Sequence, residues 1–249
     1  MRLKEQLSAQ FDSFRTIQGL AVGLVERDPY KYGIHKYLLV LIAALGLRYW
    51  EGYYFHRYPD DILDGDIECD DPVAYVKCLR EQVVSRAFSR DDPISRLGER
   101  YLTFAQEHNP FPDRDPWQEC LRSIDGMQDD YDRSKERTLL SKEELDAYYN
   151  ETFDSVLTIA EMLIGAPIAP SVKQLLISGQ GEIYSLRDLS KDWHDGILNI
   201  PKEVLDSAGL YNESSIDEVR KNTTIQRWAI AVIDNFTTIL NSKELQRGI

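Results

Sequence analysis

The chain is poor in cysteine, in positive charge and in long apolar runs, and each shortage narrows what it can be. Its three cysteines, Cys69, Cys78 and Cys120, are an odd number at no metal-ligand spacing, which argues against a disulfide framework. A reduced, cytoplasmic compartment is the simpler expectation. Lys and Arg total 29 against 42 Asp and Glu, a net charge of −13. Such a surface repels nucleic acid and anionic lipid, leaving at most peripheral membrane contact. A polyanionic substrate then needs locally placed cations or a metal. The longest apolar run, Tyr37 to Leu47, is about half the ~20 residues that span a bilayer, and reads as a buried helix. Met1 to Gln10 is polar, without the apolar core of a signal peptide. Strand-like alternation, Gly-rich phosphate loops, repeats and low-complexity tracts are all missing, so the 249 residues read as a single all-α domain of eight to ten helices.

The helix signals are local and specific. Residues 1 to 26 show loose helical periodicity through Leu7, Phe11, Phe14, Ile17, Leu20 and Leu24. From about Lys31 a central helix is expected to carry on toward Arg57, with a kink or restart at Pro59. Asp71-Pro72, Asp92-Pro93 and Asp115-Pro116 each set an N-cap before a favoured first helical residue. Ser141 and Glu144 form a capping-box pattern. Residues 109 to 115 and 165 to 170 read as loops, and a last helix is expected from about Asn222 to Leu240.

Within Tyr53 to Asp66, Asp60, Asp61 and Asp64 fall three and four residues apart, which gathers three carboxylates on one helical face. At about 6 Å and an effective dielectric near 20, each like-charged pair repels by roughly 3 kcal/mol, so the patch wants a counter-ion. Carboxylate oxygens suit Mg²⁺, which completes its shell with water and phosphate oxygens. Arg57, about one turn earlier, can offset the carboxylates or grip a diphosphate with both arms. The alternative is a set of acidic residues that merely favours a helix N-terminus, with Arg57 in an ordinary surface ion pair.

A second acidic face follows at Asp188, Asp192 and Asp195, on one helix read from Ile183 to Asp195, with Arg187 and Lys191 as a flanking basic pair. Gly196 is placed to end that helix and Pro201 to begin the next. A lone pair of this kind is usually a solvated face. Two such faces, if they face one another, can hold Mg²⁺ ions around a diphosphate and stabilise the charge that grows as it leaves. The allylic cation left behind demands a dry aromatic pocket. Candidate walls are Tyr54, Phe55, Tyr148, Tyr149, Phe153, Tyr184 and Trp193, although any one of them taken singly reads first as core. His194 adjoins the second face as a possible base or a solvent-exposed imidazole, and Asp129 or Asp130 can reach the pocket or lie on the surface.

With both faces in view, the chain resembles the squalene/phytoene synthase family of all-α isoprenoid synthases. Tyr53 through Arg57 to Asp64 is similar to the family's Y-x-x-x-R-x-x-D-D-I-x-D. Ile124 to Asp130 is similar to I-x-G-M-x-x-D, and Glu144 to Tyr148 to the segment after it. Leu186 to Asp192, with Gly196, Ile200-Pro201 and Gly209-Leu210, is similar to L-R-D-x-x-x-D and its sequel. The likeness covers roughly residues 50 to 212. It implies a helical bundle around a central apolar cavity and Mg²⁺-dependent ionisation of a prenyl diphosphate. Asp60, Asp61, Asp64, Asp188 and Asp192 would be the catalytic, metal-binding carboxylates. Arg57, Arg187 and Lys191 would lie at the diphosphate, with Tyr54, Tyr148, Phe153 and Tyr184 in the substrate pocket. The chain departs from the pattern at Tyr184 (Asn in the family), at Ile197 and Asn199 (Arg and Tyr in G-R-x-Y-L-P), and at Pro59. It is also short after Pro201. Head-to-head condensation of two prenyl diphosphates therefore stands beside cyclisation of one, prenyl transfer to an aromatic or other acceptor, and a non-catalytic assembly protein on the same fold.

Overall fold

The computed structural model describes residues 2–29, 35 and 46–242, with residues 2–7 and 11 as backbone only. The Tyr37–Leu47 run and the helix expected from Lys31 lie, up to residue 45, outside the described residues. Eleven helices and no strand occur among those described. They are α1 (Arg2–Arg27), α2 (Leu47–Leu63), α3 (Pro72–Ser85), α4 (Pro93–His108), α5 (Pro116–Glu136), α6 (Lys142–Ile164), α7 (Pro170–Arg187), α8 (Leu189–Asp195), α9 (Lys202–Ala208), α10 (Ile216–Lys221) and α11 (Thr223–Leu240). The all-α class holds, with one helix more than the upper bound expected.

The helix starts follow their caps. Asp71 accepts the Ala74 N–H at 2.9 Å, Asp92 those of Ile94 and Ser95 at 3.2 and 2.9 Å, and Asp115 that of Trp117 at 2.9 Å. Ser141 and Glu144 bond reciprocally, Ser141 N–H to the Glu144 carboxylate at 2.7 Å and Glu144 N–H to the Ser141 hydroxyl at 3.2 Å. Two expectations need correction. Pro59 does not restart its helix, because α2 runs through it to Leu63, buried along Trp50, Tyr54, Phe55, Ile62 and Leu63. Tertiary burial there outweighs one lost N–H. Nor is Ile183–Asp195 one helix: the chain breaks at Asp188, whose backbone (φ −97°, ψ 3°) separates α7 from α8.

Packing divides the chain into two compact units, Met1–Leu121 with Met162–Gly165 and Arg122–Glu161 with Ala166–Ile249. In the first, α1 buries Ile17, Ala21 and Leu24 along one stripe. Helices α2 and α4 approach closely through glycine on both sides. Gly52 of α2 lies under the Tyr101 ring and Gly98 of α4 under the Phe55 ring. Glu51 is wholly buried there and accepts from the Ser13 hydroxyl, from Arg48 at 2.5 Å and from Arg100 at 3.1 Å. A buried carboxylate persists only with such compensation. In the second unit, Trp193, Leu198, Ile200, Leu205, Leu210, Val219 and Ile225 form one cluster, and Leu145, Tyr149 and Ile177 another.

Candidate active site

The first acidic motif sits on the last turn of α2 and the fold-back after it. Gly65 (φ 75°) ends the helix: its N–H bonds the Ile62 carbonyl at 3.1 Å, and the Asp66 N–H bonds the Asp61 carbonyl at 2.8 Å. This paired termination needs a left-handed residue, which glycine supplies without strain. It returns Asp66 to the face that carries Asp61. Arg57 donates to Asp60 at 2.7 Å and pairs with Asp61. Arg27, from the end of α1, bonds the other Asp61 oxygen at 2.7 Å. Both guanidiniums also lie 3.7–3.8 Å from Asp66. Asp61 is 3% exposed in its side chain and Asp60 37%, so the three aspartates differ in kind. Asp61 is buried between two cations, whereas Asp60 and the half-buried Asp64 stand nearer solvent.

Next to this cluster is an open-mouthed cavity of about 360 Å³, within the range of small-molecule sites. Arg27, Arg57, Asp61 and Asp66 make its charged lining. Leu20, Leu24, Tyr54, Tyr58 and Ile67 make it apolar elsewhere, and Gly19 and Gly23 of α1 lie on its wall. Tyr54 is 1% exposed and shares a 2.6 Å hydrogen bond with His35. Burial, with Tyr53 alongside, pushes its phenol far above the ordinary value, so the hydroxyl stays neutral. Arg27 and Asp66 escaped the sequence reading. Asp66 could have been found from Gly65, since a glycine just past a helix folds the next residue back; Arg27 has no local signal.

The second motif lies in the other unit. Arg187 makes two bonds to Asp188, at 3.0 and 2.7 Å, and its guanidinium lies 4.3 Å over the Tyr184 ring. Lys191 pairs with Asp195 at 2.9 Å, and Asp192 is half-buried. The Asp192 carbonyl takes the N–H groups of Gly196 (φ 92°) and Ile197, so glycine closes α8 as expected. Of the aromatic candidates, Tyr149 is buried with its hydroxyl 2.8 Å from that of Ser185. Phe153 packs edge-on to Tyr184, and Tyr184 is 38% exposed. Trp193 is core, not pocket wall: it is buried in the larger apolar cluster and its indole donates to the Ser214 carbonyl at 2.9 Å. Phe55 is likewise committed to packing on Gly98. His194 is exposed.

In the same unit, Asp130 accepts from the Tyr148 hydroxyl at 2.5 Å and from Arg133 at 2.8 Å. Arg133 also donates to Asn199 at 2.9 Å and lies 4.7 Å over the Tyr148 ring. Burial and the Asp130 charge hold the Tyr148 phenol well above its ordinary range. Asp129 is exposed; partial burial and then Asp125, Glu151, Asp132 and Asp130 raise its carboxyl. Asp130, not Asp129, is thus the one built into a polar network.

The squalene/phytoene synthase family model matches residues 35–235. The chain belongs to the squalene/phytoene synthase family. No curated protein matches it. Family members are prenyltransferase-type enzymes, and the family as a whole condenses prenyl diphosphates. No helix among the described residues is long and apolar enough to cross a membrane.

Family membership raises the question whether the residues present suit Mg²⁺. No three His, Cys, Asp or Glu side chains among the described residues gather as a metal-holding group. Asp61 is committed to Arg27 and Arg57. The donor chemistry fits in pairs, Asp60 with Asp64 and Asp188 with Asp192, hard oxygens four residues apart on half-exposed helix ends, where a metal would displace Arg57 from Asp60 and Arg187 from Asp188. Mg²⁺ commonly takes one or two carboxylates and leaves its other positions to water and phosphate.

Proposed function

We propose that this member of the squalene/phytoene synthase family is a Mg²⁺-dependent prenyltransferase that ionises an allylic prenyl diphosphate and couples the resulting carbocation. The observation that supports this most is the α1/α2 cavity, where two guanidiniums border an apolar chamber. That is the chemistry of a diphosphate head on a hydrocarbon tail. Mg²⁺ would be held by Asp60 with Asp64 and, within the other unit, by Asp188 with Asp192, and would neutralise charge on phosphate oxygens.

The chain's own residues account for the rest. Arg27 and Arg57 bind the diphosphate through charge-assisted hydrogen bonds. They already share Asp61 and Asp66, so an entering diphosphate exchanges one set of anions for another. The allylic C–O bond breaks heterolytically; both electrons leave with pyrophosphate, whose growing charge the fixed guanidiniums offset. The cation is kept from water by Leu20, Leu24 and Ile67 and faces the rings of Tyr54 and Tyr58. An electron-rich double bond of the acceptor forms the new C–C bond, and a proton leaves the product cation.

Asn199 at the position of the family's Tyr is spent on Arg133, and Ile197 brings no charge. This favours chemistry on a single donor, cyclisation or prenyl transfer, as the second reading beside head-to-head condensation. The test is pyrophosphate release from geranyl, farnesyl and geranylgeranyl diphosphates, singly, together and with aromatic acceptors, in Mg²⁺ and in excess chelator, with product analysis. Mg²⁺-dependent release supports the reading and the product distinguishes its forms. Absence of release from every donor leaves the assembly-protein alternative.

A further inference from the structure

We propose that Tyr54 and His35 together take up the proton that the product cation loses; the inference rests on the prenyl diphosphate reading and names the base that ends its reaction. A 2.6 Å hydrogen bond joins the Tyr54 hydroxyl to His35 Nδ1, and the two residues are 1% and 7% exposed. A phenol is a far stronger acid than the N–H of a neutral imidazole, so the hydroxyl donates and Nδ1 accepts. Tyr54 also lines the 360 Å³ cavity, so one side chain borders both the reacting chain and the imidazole behind it. The other polar groups on that lining are poorer acceptors. Arg27 and Arg57 have no lone pair to offer, and Asp61 and Asp66 are engaged with them at the charged end. Tyr58 packs its ring on that of Tyr75 rather than on an imidazole.

Along α2, Tyr54 lies about 4.5 Å from Arg57 and about 10 Å from Asp61 at the usual helical rise. Helical side chains lean toward the N-terminus, which sets Tyr54 beside the hydrocarbon rather than the diphosphate. The step balances without a further reactant. A C–H bond next to the cationic carbon breaks, and its electron pair forms the new double bond. The proton goes to the Tyr54 oxygen as the phenol passes its own to Nδ1, so the tyrosine is neutral before and after. Burial disfavours the phenolate and holds the imidazole below its ordinary value. Tyrosine therefore needs the imidazole behind it, and Nδ1 is unprotonated when the cation forms. The rings of Trp50, Tyr53 and Tyr54 have their centroids 5.5–5.8 Å from that of His35, within the range at which aromatic rings attract a cation. The imidazolium returns its proton by the same path to the departing pyrophosphate. Tyr54 is the catalytic residue, and His35 acts through it.

The test is the fate of the ionised donor in the wild type, Tyr54→Phe and His35→Ala, read as the ratio of products that have lost a proton to prenyl alcohol formed by capture of water. That ratio is independent of how fast each variant ionises its substrate. Thermal melts verify folding. Tyr54→Phe keeps the ring and removes only the hydroxyl, so it carries the test if His35→Ala does not fold. Both variants should lower the ratio by about tenfold or more, short of the roughly 10²–10⁴ that a positioned base contributes, because pyrophosphate takes the proton more slowly in its place. Imidazole added to His35→Ala should restore the ratio, and pyrrole, a ring of the same size without a basic nitrogen, should not. A wild-type ratio in either variant, or equal rescue by pyrrole, overturns the relay and leaves the prenyltransferase reading standing. No pyrophosphate release by the wild type from any donor overturns both.

Discussion

Removing the Asp61 carboxylate perturbs the cluster where burial and charge are most tightly coupled. Its side chain is 3% exposed and bridges Arg27 and Arg57, themselves 25% and 20% exposed. Deleting one member of a buried ion pair costs about 3–5 kcal/mol, because the partner charge is stranded away from water. Here two cations lose their shared anion, but Asp60 and Asp66 remain beside them, which places Asp61→Ala near the lower end, about 3 kcal/mol. For a chain of this size about 1 kcal/mol moves the melting temperature by roughly 2–4 °C, so a fall of about 6–12 °C is expected. Asp60→Ala is the control: its carboxylate is 37% exposed, and pairs in that setting contribute at most about 1 kcal/mol. Pyrophosphate should restore more stability to Asp61→Ala than to wild type, since it replaces the missing anion between the two guanidiniums and binds only the folded chain. Differential scanning calorimetry of both variants, with and without pyrophosphate, reads all of this. Equal shifts for the two aspartates, or no extra rescue of Asp61→Ala, would refute the argument.

Other expectations follow from the same physics. Burial lowers the His56 imidazole from 6.5 to about 4; the unfolded chain takes up its proton first, so this contribution is intact above pH 6.5 and is lost as pH falls toward 4, by up to about 3 kcal/mol. Urea unfolding across that range should show a shallower pH slope for His56→Gln, and an unchanged slope would count against the burial. Gly98→Ala, which drives a methyl into the Phe55 ring, should cost about 1–3 kcal/mol, whereas Gly19→Ala, whose methyl meets nothing within 4 Å among the described residues, should stabilise by up to about 1 kcal/mol; thermal melts that fail to separate the two contradict the packing account. Asp188→Asn and Asp192→Asn should each slow pyrophosphate release by about 10²–10³ at unchanged melting temperature, the scale seen when one electrostatic stabiliser of a transition state is removed. Wild-type rates in both variants would remove the second motif from the mechanism.

The parts of the fold that could be read from the sequence are those whose causes are local. Asp71, Asp92 and Asp115 cap helices because a carboxylate two or three residues before an open N–H needs nothing else to do so. The Ser141–Glu144 box is equally self-contained. Pro59 misleads because its local penalty competes with the burial of half of α2, which no neighbouring residue announces. The break at Asp188 was hidden for a related reason: the i, i+4 spacing of aspartates reads as one helix even though the chain changes course at the first of them. The pairing of Arg57 with Asp60 and Asp61 follows from their spacing on one helix. That of Arg27 does not, since 34 residues separate it from Asp61 and only the packing of α1 on α2 brings them together. The Arg133–Asn199 bond spans 66 residues and likewise has no local signal.

A crystal structure of the protein with Mg²⁺ and farnesyl thiodiphosphate tests the central claim most directly. The account predicts the diphosphate within hydrogen-bonding distance of both Arg27 and Arg57, with the hydrocarbon running along α1 past Gly23. A ligand bound elsewhere, with those two guanidiniums still closed on Asp61, would contradict it.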